Sequence, residues 1–137
     1  MKNKIKVEKL KIIRNNKGDI LKYVSIKNKN LKKFGEIYFT EIKKNKIKGW
    51  NFHKKNTCLI TVPFGKVKFT FVNNFHKIKK YTLILGRKNY RMVVVPPRTY
   101  FKFTSISNIS LVVNTMNFIH NDNETLKIPL NEINENL

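Results

Sequence analysis

The fold of this chain is decided by the stretch Thr57-Cys58-Leu59-Ile60-Thr61-Val62-Pro63-Phe64-Gly65-Lys66-Val67-Lys68-Phe69-Thr70-Phe71-Val72. Between Val67 and Phe71 apolar and polar residues alternate strictly, which is the period-2 pattern of a half-buried β-strand. Residues 57–62 form a second run rich in apolar and β-branched residues, and Pro63-Phe64-Gly65 separates the two runs. The stretch therefore predicts two consecutive strands.

Similar short runs flank this stretch on both sides. Strands are predicted at Lys6–Ile13, Ile20–Ile26, Phe34–Ile42, Lys79–Leu85, Tyr90–Val95, Tyr100–Thr104 and Ser110–Asn114. Only the tail, from about Leu126 onward, is compatible with a short helical turn. Many short strands at a spacing of ~8–12 residues, with turn residues between them, predict an all-β sandwich or barrel.

Length and composition set the broad class of the protein. A chain of 137 residues predicts one domain over residues 1–137. Its content of 41% hydrophobic and 12% aromatic residues is too high for a disordered protein. Cys58 is the single cysteine, which rules out an intrachain disulfide and fits a reducing cytosol. No apolar run approaches the ~18 residues of a membrane span, so we expect a cytoplasmic protein without a membrane partner.

The net charge is the strongest compositional feature. Lys+Arg number 29 and Asp+Glu number 8, which gives +21. Such a charge favours nucleic acid or an acidic membrane as a partner. However, lysine, asparagine and isoleucine share A/T-rich codons, and arginine, the preferred bidentate phosphate ligand, is scarce. The lysines are scattered over all loops rather than set along one stripe, so the sequence does not predict specific nucleic-acid binding.

Four segments carry polar and aromatic residues in an informative order. They are Ile47-Lys48-Gly49-Trp50-Asn51-Phe52-His53, Pro63-Phe64-Gly65-Lys66-Val67, Asn89-Tyr90-Arg91-Met92-Val93-Val94-Val95-Pro96-Pro97, and Asn117-Phe118-Ile119-His120 with Glu124 further on. In order and spacing they resemble the dTDP-4-dehydrorhamnose 3,5-epimerase family, and especially its short members in polysaccharide synthesis. This resemblance implies a cupin-type double-stranded β-helix (a jelly roll), a homodimer, and a nucleotide-sugar substrate handled without metal or redox cofactor.

The chemistry that the resemblance implies is proton transfer next to a ketone. A histidine base removes the proton, a tyrosine returns one, and a cation stabilises the enolate. The Arg-Gly-x-His motif of the family falls on Lys48-Gly49-Trp50-Asn51, so Asn51 stands where the base is expected. The expected lysine falls on Cys58, and the expected tyrosine falls on Phe118 or Ile119. Arg91, with Asn89 before it, does match the Asn-x-Arg segment.

A sister family offers a second reading of the same strand. The nucleotide-sugar 3,4-ketoisomerases have a motif resembling Arg-Gly-x-His-x-His-Lys, and this chain has Lys48-Gly49-Trp50-Asn51-Phe52-His53-Lys54. Alternate side chains of a strand point to the same face, so Asn51 and His53 are expected to point together into the barrel. His53 is therefore the candidate base. A metal site is not predicted, because His53 is a lone nitrogen ligand on this strand and Phe101 stands near the place of the later histidine of metal-binding cupins.

These considerations give a set of candidate site residues. The candidates for catalysis are His53, His120 and Tyr38, with Tyr100 as an alternative proton donor. The candidates for substrate binding are Lys48, Trp50, Asn51, Asn89, Arg91 and Asn117. Each has a simpler interpretation as well: His120 orients its own loop, Arg91 forms a structural ion pair, and Trp50 and Tyr38 pack in the core.

Three functions stay open from the sequence. The first is an isomerase or epimerase acting on a nucleotide-linked 4-keto-6-deoxy sugar. The second is a non-catalytic cupin that binds a nucleotide sugar, suggested by the replacements at Asn51, Cys58 and Phe118 or Ile119. The third is a basic β-barrel that stacks nucleic-acid bases on its aromatic side chains.

Overall fold

The predicted strands pair into two five-stranded antiparallel sheets. The structure, a computed structural model, describes residues 4–73 and 79–132. The strands are β1 Lys6–Lys9, β2 Ile12–Ile13, β3 Ile20–Leu21, β4 Glu36–Lys43, β5 Ile47–His53, β6 Cys58–Phe64, β7 Lys66–Asn73, β8 Lys79–Gly86, β9 Arg91–Val95, β10 Tyr100–Ser105, β11 Ile109–Met116 and β12 Thr125–Lys127. A single 3₁₀ turn, Leu130–Glu132, is the only helical element in the described ranges.

The order of the strands is that of two facing sheets. The first sheet has the order β1-β9-β6-β11-β4 and the second has the order β12-β5-β10-β7-β8, while β2 and β3 form a separate hairpin. This arrangement confirms the all-β jelly roll that the sequence predicts. Within residues 4–73 and 79–132 there is no helix of the length and hydrophobicity needed to span a membrane.

The core lies between the two sheets and is built from alternate residues of their strands. Phe69 and Phe71 of β7 pair with Phe103 and Phe101 of β10, and all four rings are buried. They pack against aliphatic side chains of the first sheet, such as Ile60 on β6. Alternation along each strand sends the remaining residues to the two outer faces. One end of this inner space carries polar groups, and there the candidate site lies.

The strand prediction was wrong at two places in the N-terminal part of the chain. The predicted strand Ile20–Ile26 ends at Leu21, because Tyr23 and Val24 pack instead on the outer face of the first sheet. The predicted strand Lys6–Ile13 divides into β1, paired with β9, and β2, paired with β3. In the tail, the short helical turn predicted from about Leu126 onward is present at Leu130–Glu132, and it follows strand β12, which the sequence does not predict.

Candidate functional site

Strand β5 places Asn51 and His53 on the inner face of the second sheet. Asn51 lies opposite the core residue Phe101, and His53 is two residues further along the strand. The His53 ring stacks on Phe101 with 6.3 Å between ring centroids, and His53 is only 5% exposed. The two side chains therefore share one face, as the alternation predicts.

A carboxylate from the far end of the chain holds the His53 ring. Glu124, just before β12, has its Oε2 atom 3.1 Å from His53 Nδ1. Its Oε1 atom accepts hydrogen bonds from the backbone N–H groups of Lys55 at 2.7 Å and Asn56 at 2.6 Å. The Thr125 hydroxyl lies 3.2 Å from the same His53 nitrogen. Glu124 is thus fixed by the loop that follows β5, and it fixes the imidazole in turn.

The protonation states of this pair follow from their surroundings. Burial lowers the pKa of His53 and outweighs the opposing effect of Glu124, so the imidazole is neutral at neutral pH. Burial works to raise the pKa of Glu124, but the amides of Lys55 and Asn56 together with His53 bring it below its usual value. Because Glu124 is an anion that only accepts hydrogen bonds, His53 carries its proton on Nδ1. The lone pair on Nε2 is then available to act as a base.

His120 stands beside His53 at the surface end of the site. The two rings meet edge to face with 6.4 Å between centroids. The His120 side chain is 41% exposed, and its Nε2 atom lies 3.3 Å from Asp122. Its backbone N–H donates to Glu36 on β4 at 2.8 Å, which ties the loop to the first sheet. His120 is therefore close enough to share a ligand with His53.

The first sheet contributes a second group of polar side chains, on β4, β6 and β11. Tyr38 and Asn114 lie directly opposite each other on the paired strands β4 and β11. The Nδ2 atom of Asn114 donates to the Tyr38 hydroxyl oxygen at 3.1 Å. Cys58 on β6 adjoins this pair, and burial raises the pKa of its thiol to about 12. Glu36, two residues before Tyr38 on β4, accepts a hydrogen bond from the backbone N–H of His120, so Tyr38 lies at the same end of the inner space as the histidines.

The predicted binding residue Lys48 lies at the other end of β5. A β-bulge in β5 at Gly49 puts Lys48 opposite Phe103, five residues before His53 and roughly 15 Å away along the strand. There it joins an open groove of about 610 Å³. The groove is lined by Phe39, Thr40, Glu41, Ile42, Lys43, Lys46, Ile47 and Lys48.

Arg91 and Asn89 are also away from His53. Strand β9 reaches the His53 end of the inner space at Val95, which pairs with Cys58, whereas Arg91 begins the strand at the opposite end. Asn89 closes the turn before β9, where its Nδ2 atom donates to the Ile84 carbonyl at 2.7 Å. The structure does not bring these two residues together with the histidines.

Trp50 and Tyr100 point to the outer face of the second sheet. Trp50 is completely buried there with Phe52, Val72 and Tyr100, beneath Ile128. Its Nε1 atom donates to the Leu130 carbonyl at 3.3 Å. Both residues are thus separated from His53 by the sheet itself, and the core-packing interpretation of Trp50 is the one that fits.

Asn117 has a structural role in the loop before β4. Its Oδ1 atom accepts hydrogen bonds from the backbone of Lys32 at 2.8 Å and Lys33 at 3.3 Å, and its Nδ2 atom donates to the Asn30 carbonyl. All of its polar atoms are therefore used within the protein. Phe118 and Ile119, at the position expected for the tyrosine acid, are 44% and 73% exposed.

A metal centre is not evident in the part of the chain that the structure describes. Within residues 4–73 and 79–132, no three His, Cys, Asp or Glu side chains come together as a potential metal site. The polar groups that do converge are suited to proton transfer: a neutral imidazole with an anionic partner, a second imidazole, and a phenol.

Comparison with solved structures gives close matches of the fold. A dTDP sugar isomerase from Desulfovibrio desulfuricans is 25% identical, with a TM-score of 0.88, over 93% of this chain and 85% of that chain. A dTDP-6-deoxy-D-glucose-3,5-epimerase from Legionella pneumophila, in complex with dTDP-4-keto-L-rhamnose, is 16% identical with a TM-score of 0.81, over 92% of this chain and 73% of that chain. A sugar 3,4-ketoisomerase from Thermoanaerobacterium thermosaccharolyticum, in complex with TDP, is 13% identical with a TM-score of 0.77, over 90% of this chain and 88% of that chain.

Comparisons of the sequence alone give less. No protein-family model matches the chain, and the comparison with curated proteins gives no match. The likeness to known proteins is therefore carried by the fold. The structural matches confirm the resemblance to the dTDP-4-dehydrorhamnose 3,5-epimerases and the sugar 3,4-ketoisomerases.

Proposed function

We propose that this chain is an isomerase or epimerase that acts on a dTDP-linked, or other nucleotide-linked, 4-keto-6-deoxy sugar in cell-surface polysaccharide biosynthesis. The observation that carries the proposal is the His53–Glu124 pair, with 3.1 Å between Nδ1 and Oε2, on the inner face of a barrel shared with dTDP-sugar isomerases. A proton on a carbon beside a ketone is weakly acidic, and a neutral imidazole is the base suited to remove it near neutral pH.

The proposed reaction uses His53 of the second sheet and Tyr38 of the first sheet. His53 Nε2 takes the proton, and the electron pair of the broken C–H bond moves toward the ketone oxygen to give an enolate. Glu124 stabilises the imidazolium that forms, because its carboxylate already accepts the Nδ1 proton. Tyr38, from the first sheet, returns a proton to carbon, and Asn51 and His120 contact the sugar. Proton removal from one side and return from the other inverts the carbon.

Binding of the diphosphate requires cations near this end of the barrel. The backbone N–H of Arg98 donates to the His53 carbonyl at 2.7 Å, and Lys54 follows His53 directly. Both side chains are exposed and suited to an anionic diphosphate. The substrate contacts predicted for Lys48 and Arg91 stay predictions. A nucleotide sugar bound at His53 would have to extend to the opposite end of the barrel to contact these two residues.

Deuterium exchange tests the catalytic role. In D₂O, the wild-type protein is expected to incorporate deuterium at C3 or C5 of dTDP-4-keto-6-deoxyglucose, as followed by NMR. His53→Asn should slow this exchange at least ~100-fold, because the base is lost. Tyr23→Phe is the matched control, since that phenol lies on the outer face of the first sheet and contacts Leu59 and Thr115. Absence of exchange with every nucleotide-linked 4-keto sugar would contradict the proposal.

A non-catalytic nucleotide-sugar-binding cupin is the second candidate. It is favoured by Asn51 at the expected base position and by the Cys58 thiol, whose pKa of about 12 leaves it without charge where a lysine is expected. Calorimetry that detects dTDP-sugar binding without exchange, and equal binding by His53→Ala, would decide for this function.

We also propose that the chain forms a homodimer. Strand β4 is an edge strand of the first sheet, and its outward residues Ile37 and Phe39 are 42% and 62% exposed. Exposed apolar edges of this kind invite pairing with another strand. Light scattering should give twice the chain mass of 16.3 kDa, and a monomer mass at micromolar concentration would refute the dimer. A cytoplasmic location stays a prediction.

A further inference from the structure

The most informative polar group outside the His53–Glu124 pair is the side chain of Asn114. It lies on β11, directly opposite Tyr38 on β4, in a continuous antiparallel ladder from Ile109 to Met116. Cross-strand partners in such a ladder have neighbouring Cβ atoms, so the backbone register alone sets the amide beside the phenol. The contact does not depend on a loop.

The two ends of this amide are used differently. Asn114 is only 5% exposed, and its Nδ2 atom donates to the Tyr38 oxygen at 3.1 Å. Its Oδ1 atom is buried and has no hydrogen-bond partner among the residues that the structure describes. Buried polar atoms without a partner are rare in folded proteins because each costs free energy. The Asn114 side chain that carries this atom lies next to the candidate catalytic phenol of Tyr38 and the buried thiol of Cys58.

The direction of the hydrogen bond decides what the phenol can do. A tyrosine oxygen that accepts from an amide N–H keeps its own proton free for another acceptor, whereas a carbonyl in the same place would bind that proton. When the phenol gives its proton to the carbon of an enolate, the electron pair of the enolate forms the new C–H bond. The phenolate that remains is then stabilised by the same Nδ2–H group, and after product leaves, solvent water takes the proton from the His53 imidazolium and returns one to the phenolate.

We propose that Asn114 is a positioning residue that makes Tyr38 a proton donor: its amide nitrogen holds the phenol oxygen and leaves the phenol proton directed to the substrate. The inference rests on the proposed function for the identity of the proton acceptor.

The test replaces Asn114 in two ways and observes Tyr38 directly. Asn114→Leu has a similar shape and no hydrogen bond, and Asn114→Asp has the same shape and accepts only. Thr115→Val is the matched control, because it removes the hydroxyl partner of Tyr23 on the opposite face of the same strand. The phenol is observed by ¹⁹F NMR titration of 3,5-difluorotyrosine placed at position 38, which needs no substrate.

The expected results separate the inference from the proposed function. In Asn114→Leu the titration midpoint of residue 38 rises, because a hydrogen bond that favours the phenolate is lost, and in Asn114→Asp it rises further. The turnover number for isomerisation falls at least ~10-fold in both while KM changes little. Thr115→Val leaves both readouts unchanged. If both Asn114 variants keep the wild-type midpoint, the inference is overturned, whatever the activity. If the midpoint rises in the Asn114 variants but neither the wild type nor any variant shows turnover, only the proposed function fails.

Discussion

His53 is neutral at neutral pH because burial disfavours its charged form more strongly than Glu124 favours it. Its pKa lies below the usual 6.5, so the base form prevails at pH 7 and is lost as the pH falls further. We expect the rate of deuterium exchange to rise with pH along an acidic limb centred below 6.5, as measured from pH 4.5 to 8. A limb centred above 7 would contradict this assignment of the base.

Glu124 offers a sharper test of the same pair. The carboxylate raises the pKa of His53, so Glu124→Gln should move the acidic limb to lower pH. At the same time the plateau rate should fall ~10–100-fold, because the amide no longer fixes the Nδ1–H tautomer. A variant that only destabilised the protein would lower the plateau without moving the limb. The pH profiles of wild type and Glu124→Gln, each normalised to folded protein, distinguish the two.

The Cys58 thiol should be inert in the folded protein. It is fully buried, and its pKa of about 12 leaves almost no thiolate at pH 8. We expect a thiol reagent such as DTNB to react with it only at the rate of unfolding, and within seconds in guanidinium chloride. Rapid labelling of the native protein would mean that the site opens far enough to expose β6.

At the scale of single residues, the sequence predicts the facing pair Asn51 and His53 because strand alternation is a local rule. The same rule assigns Trp50 to the outer face of the second sheet, and the structure shows it on that face, covered by Ile128. The partners Glu124 and Asn114 were not, since they contact His53 and Tyr38 across 71 and 76 residues of chain. Such contacts depend on which strands pair, and no local pattern encodes that.

Strand β5 depends on the glycine at its bulge. Gly49 has φ +131°, and a Cβ atom there would lie 2.6 Å from Cβ of Lys102 on β10. Gly49→Ala should therefore lower the free energy of unfolding by about 1–3 kcal/mol, as measured by urea denaturation. Gly18→Ala is a matched control, because Gly18 has φ +130° with nothing within 4 Å. Equal losses in both variants would mean that backbone strain alone, rather than contact with β10, explains the effect.

At the scale of elements, the central strands are predictable and the terminal ones are not. Residues 57–72 contain their own alternation, and β6 and β7 occupy nearly the predicted ranges. Tyr23 and Val24 have strand-like composition, yet they serve as a packed cover over β6 and β9. Strand β12 has only three residues and pairs with β5. These residues are extended because they pair with the edge of the second sheet, rather than because of their own sequence.

The whole molecule carries a charge of +21, which opposes compaction. Asp19 forms ion pairs with two cations, Arg14 and Arg87. Since the 29 basic residues outnumber the 8 acidic ones, we expect the melting temperature to rise between 0.02 and 0.3 M NaCl. Over this range the Debye length falls from roughly 20 to 6 Å, which screens the repulsion. Sucrose at equal osmolality is the control, and an equal rise in sucrose would refute an electrostatic cause.

The segment from Glu124 to Leu130 supplies the carboxylate on one side of the second sheet and covers the indole of Trp50 on the other. Because Trp50 is the sole tryptophan, the wavelength of its fluorescence emission maximum reports whether that segment is packed against the sheet. A red shift on detachment would therefore signal, without any ligand, that the histidine has lost its anionic partner. Tryptophan fluorescence therefore reports on the contact between Glu124 and His53.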